Sequence, residues 1–141
     1  ETALLAMYTY RDMSDRDWRP FIKAAVERNP VCHAAFAGRD ADHIYSVVNS
    51  FDNASIYDSG RLAQPDEVWN FHRGEGIEKA FLMADAVLLN NPATEIEFNL
   101  DGNGVTISFN GSSYSFAGNK GYKKRFSISK SNNQLIYNEI N

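Results

Sequence analysis

The chain contains a single cysteine, Cys32, so it can close no disulfide on itself and can build no metal site from several thiolates. Histidine is scarce too: His33, His43 and His72 are the full set, and none follows the last of them. Beyond Pro92 there is no His, Cys, Trp or Pro. No apolar run approaches the roughly 20 residues that a membrane-crossing helix needs, so no span is expected. An excess of positive charge is also missing. The net charge is −4, acids outnumber bases up to Pro92, and the remainder is near neutral, so no nucleic-acid partner is expected. The short basic run Lys123-Lys124-Arg125 reads as cations that keep a sheet edge soluble.

What is present suits a globular protein. A hydrophobic fraction of 43% and a charged fraction of 23% are ordinary, and 141 residues can bury roughly two-thirds of the unfolded surface. One domain over 1–141 is expected, soluble and of unspecified location. Its first residue is Glu1, which fits a processed or trimmed chain and is compatible with a removed signal peptide.

The pattern changes character at Asn90-Asn91-Pro92, dividing a helical part (1–91) from a β-meander (92–141). Thr2 to Met13 suits a first helix, and Ser14 to Asp17 supplies short polar side chains to cap the next. Trp18, Phe21, Ile22, Ala25 and Val26 then recur at the spacing of a buried helical stripe, which should end at Asn29-Pro30. After a short apolar stretch, Val31 to Ala37, Asp40 caps a helix carrying Ile44, Val47, Val48 and Phe51 on one face. Residues 52–64 read as a polar loop. Pro65-Asp66-Glu67 opens a short helical turn with Val68, Trp69 and Phe71, broken at Gly74-Glu75-Gly76. From Ile77 to Leu89 the chain is apolar nearly all round. Such a helix belongs in the centre of a domain.

In the second part, Asn110-Gly111 is a strong hairpin signal, because both residues tolerate positive φ. A two-residue turn there pairs Phe109 with Ser112, Ile107 with Tyr114 and Val105 with Phe116. A four-residue loop from Asp101 to Gly104 independently pairs Leu100 with Val105, Phe98 with Ile107 and Ile96 with Phe109. Both registers place the same large residues on one face. A loop around Asn119 would then set Tyr122 opposite Phe116, continuing through Phe126 and Ile128, and Leu135 to Ile140 has an open register. The expected fold class is α+β, with N-terminal helices and one buried central helix packed on one face of a C-terminal antiparallel β-meander.

The chemically versatile residues do not assemble into a familiar catalytic set. Asp101-Gly102-Asn103-Gly104 is similar to the middle of a calcium loop, but Asn110 stands where the closing Glu would be, so it reads as a turn. His72 with Glu75 and Glu78 reads as a solvated loop rather than a metal cluster, and Asp40 and Asp42 near His43 read as helix-start acids. Cys32 and His33 are neighbours whose side chains diverge in a helix, so they make no nucleophile–base pair, and Cys32 reads as a small buried residue. No cofactor and no metal are expected.

The segment from Ser59 to Ala80 resembles the approach to the nucleophile in transglutaminase-like domains. Arg73-Gly74-Glu75 matches the turn, Glu78-Lys79-Ala80 continues the helix, and Gly76 stands where that family has its cysteine. A thiolate there would gain from the free N–H groups and dipole of a helix start. The family's His and Asp follow on strands, and this chain has no later His. The resemblance therefore implies a catalytically silent relative.

A non-catalytic binding or scaffolding domain is the favoured reading, its partner a protein, a glycan or a small molecule. The residues expected to matter are Trp69, His72, Arg73 and Glu75 in the turn at 65–78. Two other readings stand beside it. One is a small-ligand or enzymatic domain of cystatin-like or nuclear-transport-factor-like kind, with His43 or His72 in a pocket between helices and sheet. The other is a fragment of a larger enzyme.

Overall fold

The stripe Trp18, Phe21, Ile22, Ala25 and Val26 is buried as its spacing predicts, Trp18 just before α1 (Arg19–Glu27) and the other four on its inner face. The computed structural model describes residues 18–27, 29–54, 62–118, 121–132 and 134–140. The expected helix at Thr2 to Met13, the cap at Ser14 to Asp17 and the turn at Asn119 lie outside those residues. Asn29-Pro30 ends α1 and immediately begins α2 (Pro30–Phe36). Proline fits the first helical position, where its missing N–H is not needed, so the apolar stretch is helical and buries Cys32 and Phe36. Asp40 caps α3 (Ala41–Asn49) by accepting from the His43 N–H at 2.8 Å.

The end of the expected polar loop departs from expectation. Leu62 and Ala63 are fully buried, and the Ala63 N–H donates to Glu78 Oε2 at 2.5 Å. A backbone drawn inward in this way needs a buried acceptor, and Glu78 supplies it. The chain then enters α4 (Pro65–Phe71), passes Gly74, and forms α5 (Gly76–Asn90). Every α5 residue from Gly76 to Leu88 is buried, so this is the central helix.

Five antiparallel strands follow: β1 (Ile96–Asp101), β2 (Gly104–Phe109), β3 (Ser112–Ala117), β4 (Lys123–Ser131) and β5 (Gln134–Glu139). Asn110 and Gly111 both take positive φ, and the hairpin register is the expected one: Phe109 faces Ser112, Ile107 faces Tyr114, and Val105 faces Phe116. Leu100 faces Val105 and Phe98 faces Ile107, also as expected. Asp101 Oδ1 accepts from the Asn103 N–H at 2.9 Å, making the neighbouring loop a side-chain-braced turn.

The fourth strand corrects the expected pairing. Tyr122 does not lie opposite Phe116. The sheet order is β3-β2-β1-β4-β5, so the chain leaves edge strand β3 and returns beside β1. There Phe126 pairs with Phe98 and Ile128 with Ile96, and all four are fully buried. Against β3, which buries only Phe116, those two large side chains would have had little apolar surface to meet. The crossing is fastened by Gly118 N–H to Asn103 O and Gly102 N–H to Tyr122 O, both 3.0 Å. Lys123, Lys124 and Arg125 pair with β1 but precede the β5 register, which begins at Phe126, so the run starts where an inner strand has a free flank, with Lys124 paired to Glu139 and Arg125 3.7 Å from Glu97.

The architecture is α+β. One cluster of buried side chains runs from α1 through α5 into β1, β2, β3 and β4. At its centre Phe81, Phe98 and Phe126 stack, with centroids 4.9 Å apart for the first pair and 4.8 Å for the second. On the far face of the sheet, Thr106 meets Ser115 and Ser108 meets Ser113, each pair of hydroxyls 3.0 Å apart.

Candidate functional site

Three helix ends converge at Asn29. Its Nδ2 donates to Ala24 O and Ala25 O, both at 2.9 Å, closing the end of α1, and its Oδ1 accepts from the Asp66 N–H at 2.8 Å. Asp66, in the first turn of α4, reaches back to accept from the N–H groups of Cys32 (2.8 Å) and Val31 (3.1 Å). It therefore caps α2 from another helix, satisfying donors that Pro30 and Asn29 leave open. The first turn of α2 is thus fixed on two sides.

That turn aims Cys32 and His33 at one carboxylate on α5. Cys32 Sγ is 3.2 Å from Asp85 Oδ2, and His33 Nε2 is 2.8 Å from Asp85 Oδ1. Asp85 is 1% exposed and Cys32 is fully buried, whereas the His33 ring keeps partial contact with solvent. Burial pushes the Cys32 thiol well above its ordinary range, and the negative charge of Asp85 pushes it further. The hydrogen bond to Asp85 raises His33 against the opposing effect of burial. Burial likewise raises Asp85, while His33 pulls it back.

This order of groups decides the chemistry. A nucleophilic thiol needs the imidazole against its sulfur and the carboxylate behind the imidazole. Here the carboxylate lies between the two and accepts from both. A thiolate beside Asp85 would meet like charge in a dry site, so the arrangement holds the proton on sulfur rather than removing it.

The turn at 65–78 is built differently. Trp69 is half-buried and packs its ring on Phe36 (5.2 Å between centroids), Phe51 (5.9 Å) and His72 (5.4 Å). His72 ends α4 at a φ of 53° and also touches Phe51. Arg73 forms a single parallel bridge with Asp52, in which Asp52 N–H donates to His72 O and Gly74 N–H to Asp52 O. Asn70, Phe71, His72 and Arg73 are exposed, and Phe71 is 62% exposed.

Glu75 differs from its three companions, because it is buried and caps α5 in a reciprocal box with Glu78. Glu78 Oε1 accepts from the Glu75 N–H at 2.8 Å, and Lys79, also buried, donates to Phe51 O at 2.7 Å. Glu75 and Glu78 are therefore not in the solvated loop expected around His72. Burial lowers the Lys79 ammonium, against the pull of Asp52 and Glu75. His43 is exposed on α3, and the acids beside it are occupied: Asp40 caps the helix, and Asp42 accepts from Tyr114 OH at 2.5 Å, pushing that phenol up to about 12.

Sequence reasoning brought out Trp69, His72 and Arg73, which the fold does bring together, and it passed over Asp85. The signal for Asp85 was available: it is the lone charged residue in the apolar run from Ala80 to Leu89. A charge in the middle of a buried helix requires partners, and Cys32 and His33 are the ones present. Among the described residues, no helix is long and apolar enough to cross a membrane. No family model, curated protein or solved structure matches the chain.

Proposed function

We propose that this chain is a non-catalytic binding domain that engages a protein, glycan or small-molecule partner through the knuckle at the end of α4. The observation that carries this reading is Phe71, a large apolar side chain held in solvent beside half-buried Trp69 and the exposed His72 and Arg73. Aromatic side chains and arginine on a rigid support are the usual anchors of recognition surfaces. Val68 and Trp69 seat α4 on the core, and the Asp52 bridge ties down the chain after it. Glu75 acts from behind, by setting the start of α5.

The non-catalytic part rests on the Cys32–Asp85–His33 order and on Gly76. A Cβ at position 76 would meet Ala117 O at 2.5 Å, so the helix start that resembles a transglutaminase nucleophile position is closed against the backbone of β3 and has no room for a thiol. This suits a degenerate relative of that family. The cavity beside Gly76, bordered by Glu75, Ile77, Leu100 and Tyr122, is about 10 Å³, room for one water rather than a substrate. The larger open concavities, about 470 Å³ beside Glu95 and Glu97 and about 550 Å³ beside Arg19 and Tyr137, are lined by no His or Cys.

The test is a fragment and short-peptide screen read by amide shifts in the isotope-labelled chain. Binders should shift the amides of Trp69 to Arg73, and Phe71→Ser should abolish the shifts without changing the denaturation midpoint. Binders that map to another surface, or that Phe71→Ser binds equally well, would contradict the reading.

A further inference from the structure

We propose that Cys32, His33 and Asp85 form a binding site for a single divalent transition-metal ion of the zinc class. One sulfur, one nitrogen and one oxygen donor from two different helices lie within 4.8 Å of one another. Ion-to-donor bonds of about 2.0–2.3 Å separate the ligands of a tetrahedral ion by roughly 3.3–3.8 Å. The present contacts of 3.2 Å and 2.8 Å around Asp85 would need to open by less than about 1 Å to admit the ion. Such a set of soft sulfur, imidazole and carboxylate suits zinc, cobalt or cadmium far better than calcium or magnesium.

Charge favours the exchange. Asp85 is a carboxylate in a dry interior, held by the Cys32 thiol and the His33 ring, whereas an ion of charge +2 is neutralised by one thiolate and one carboxylate. Asp66 and Lys130 are the other charged groups that act on the pair, and they oppose one another. Asp66 also fixes the backbone that carries two of the ligands, the outer support that metal ligands generally require. His33 is the ligand nearest solvent, its side chain 25% exposed against 1% for Asp85.

Binding releases protons in a defined number. The thiol proton leaves in every case. When His33 is doubly protonated, its Nε2 proton leaves as well. When it is neutral, the Nε2 proton is exchanged for one at Nδ1, and only the thiol proton is lost overall. Affinity therefore rises with pH.

The experiment is a Co2+ titration of the reduced, chelator-treated chain followed by absorption. One equivalent should produce a thiolate-to-cobalt charge-transfer band with intense visible bands, and Zn2+ should displace it. Cys32→Ser should lose the charge-transfer band. His33→Ala, taken only on samples whose circular dichroism matches the parent, and His33→Gln beside it should each weaken binding about 10-fold or more, while His43→Ala should leave it unchanged. Absence of the thiolate band at stoichiometric ion, or its survival in Cys32→Ser, would overturn the assignment.

Discussion

Asp85 accepts the ring N–H of His33 at 2.8 Å, although the two residues lie on different helices and 52 positions apart. The pair makes stability depend on pH. Because the folded state raises His33, the protonated ring stabilises the fold, fully below its unfolded value near 6.5. That contribution is lost as pH rises through the higher folded value. Burial raises Asp85 as well, so its ionisation also weakens the fold with rising pH, in a more acidic window starting near 3.8. Denaturation midpoints should fall as pH increases from about 6 to 8, and His33→Gln should remove that step. An unchanged slope in His33→Gln would place its origin elsewhere.

Asp85→Asn keeps the size of the side chain but offers a single acceptor where two donors converge, and turns an amide N–H toward one of them. Destabilisation of about 1–3 kcal/mol is expected by urea denaturation. A neutral effect would mean that the carboxylate is not the organiser of this corner.

Gly76→Ala tests the contact between α5 and the sheet. The added Cβ would meet the backbone of Ala117, which belongs to a paired strand and cannot swing aside like a flexible side chain. The expected loss is about 1–3 kcal/mol. Phe126→Ala should cost about 3–5 kcal/mol, because it removes the ring stacked on Phe98 in the middle of the core. Phe71→Ser should stay within about 0.5 kcal/mol of the parent.

Much of this fold was legible because local chemistry and burial agree. Asn110-Gly111 dictates its hairpin, the loop at Asp101 to Gly104 independently gives the same inner face, and the apolar run after Gly76 has nowhere to lie but the centre. The place of β4 was not legible. Its alternating residues fit beside β3 or β1 equally well by pattern, and the choice falls to long-range packing of Phe126 and Ile128 on Phe98 and Ile96. The candidate site was half visible for the same reason. Trp69, His72 and Arg73 are close in sequence, whereas the Cys32–Asp85 contact spans 53 positions and depends on how two helices cross. Neighbouring helical side chains do diverge, yet both Cys32 and His33 reach one carboxylate because it lies between them.

The Cys32 thiol is a buried hydrogen-bond donor and not a nucleophile. Its most direct test is the pH dependence of the alkylation rate of Cys32 in the folded, metal-free chain. Modification should be slow at neutral pH, with little thiolate character up to the free-thiol value near 8.5, and rapid only after denaturation. Fast alkylation of the native chain with an apparent pKa below that value would contradict it.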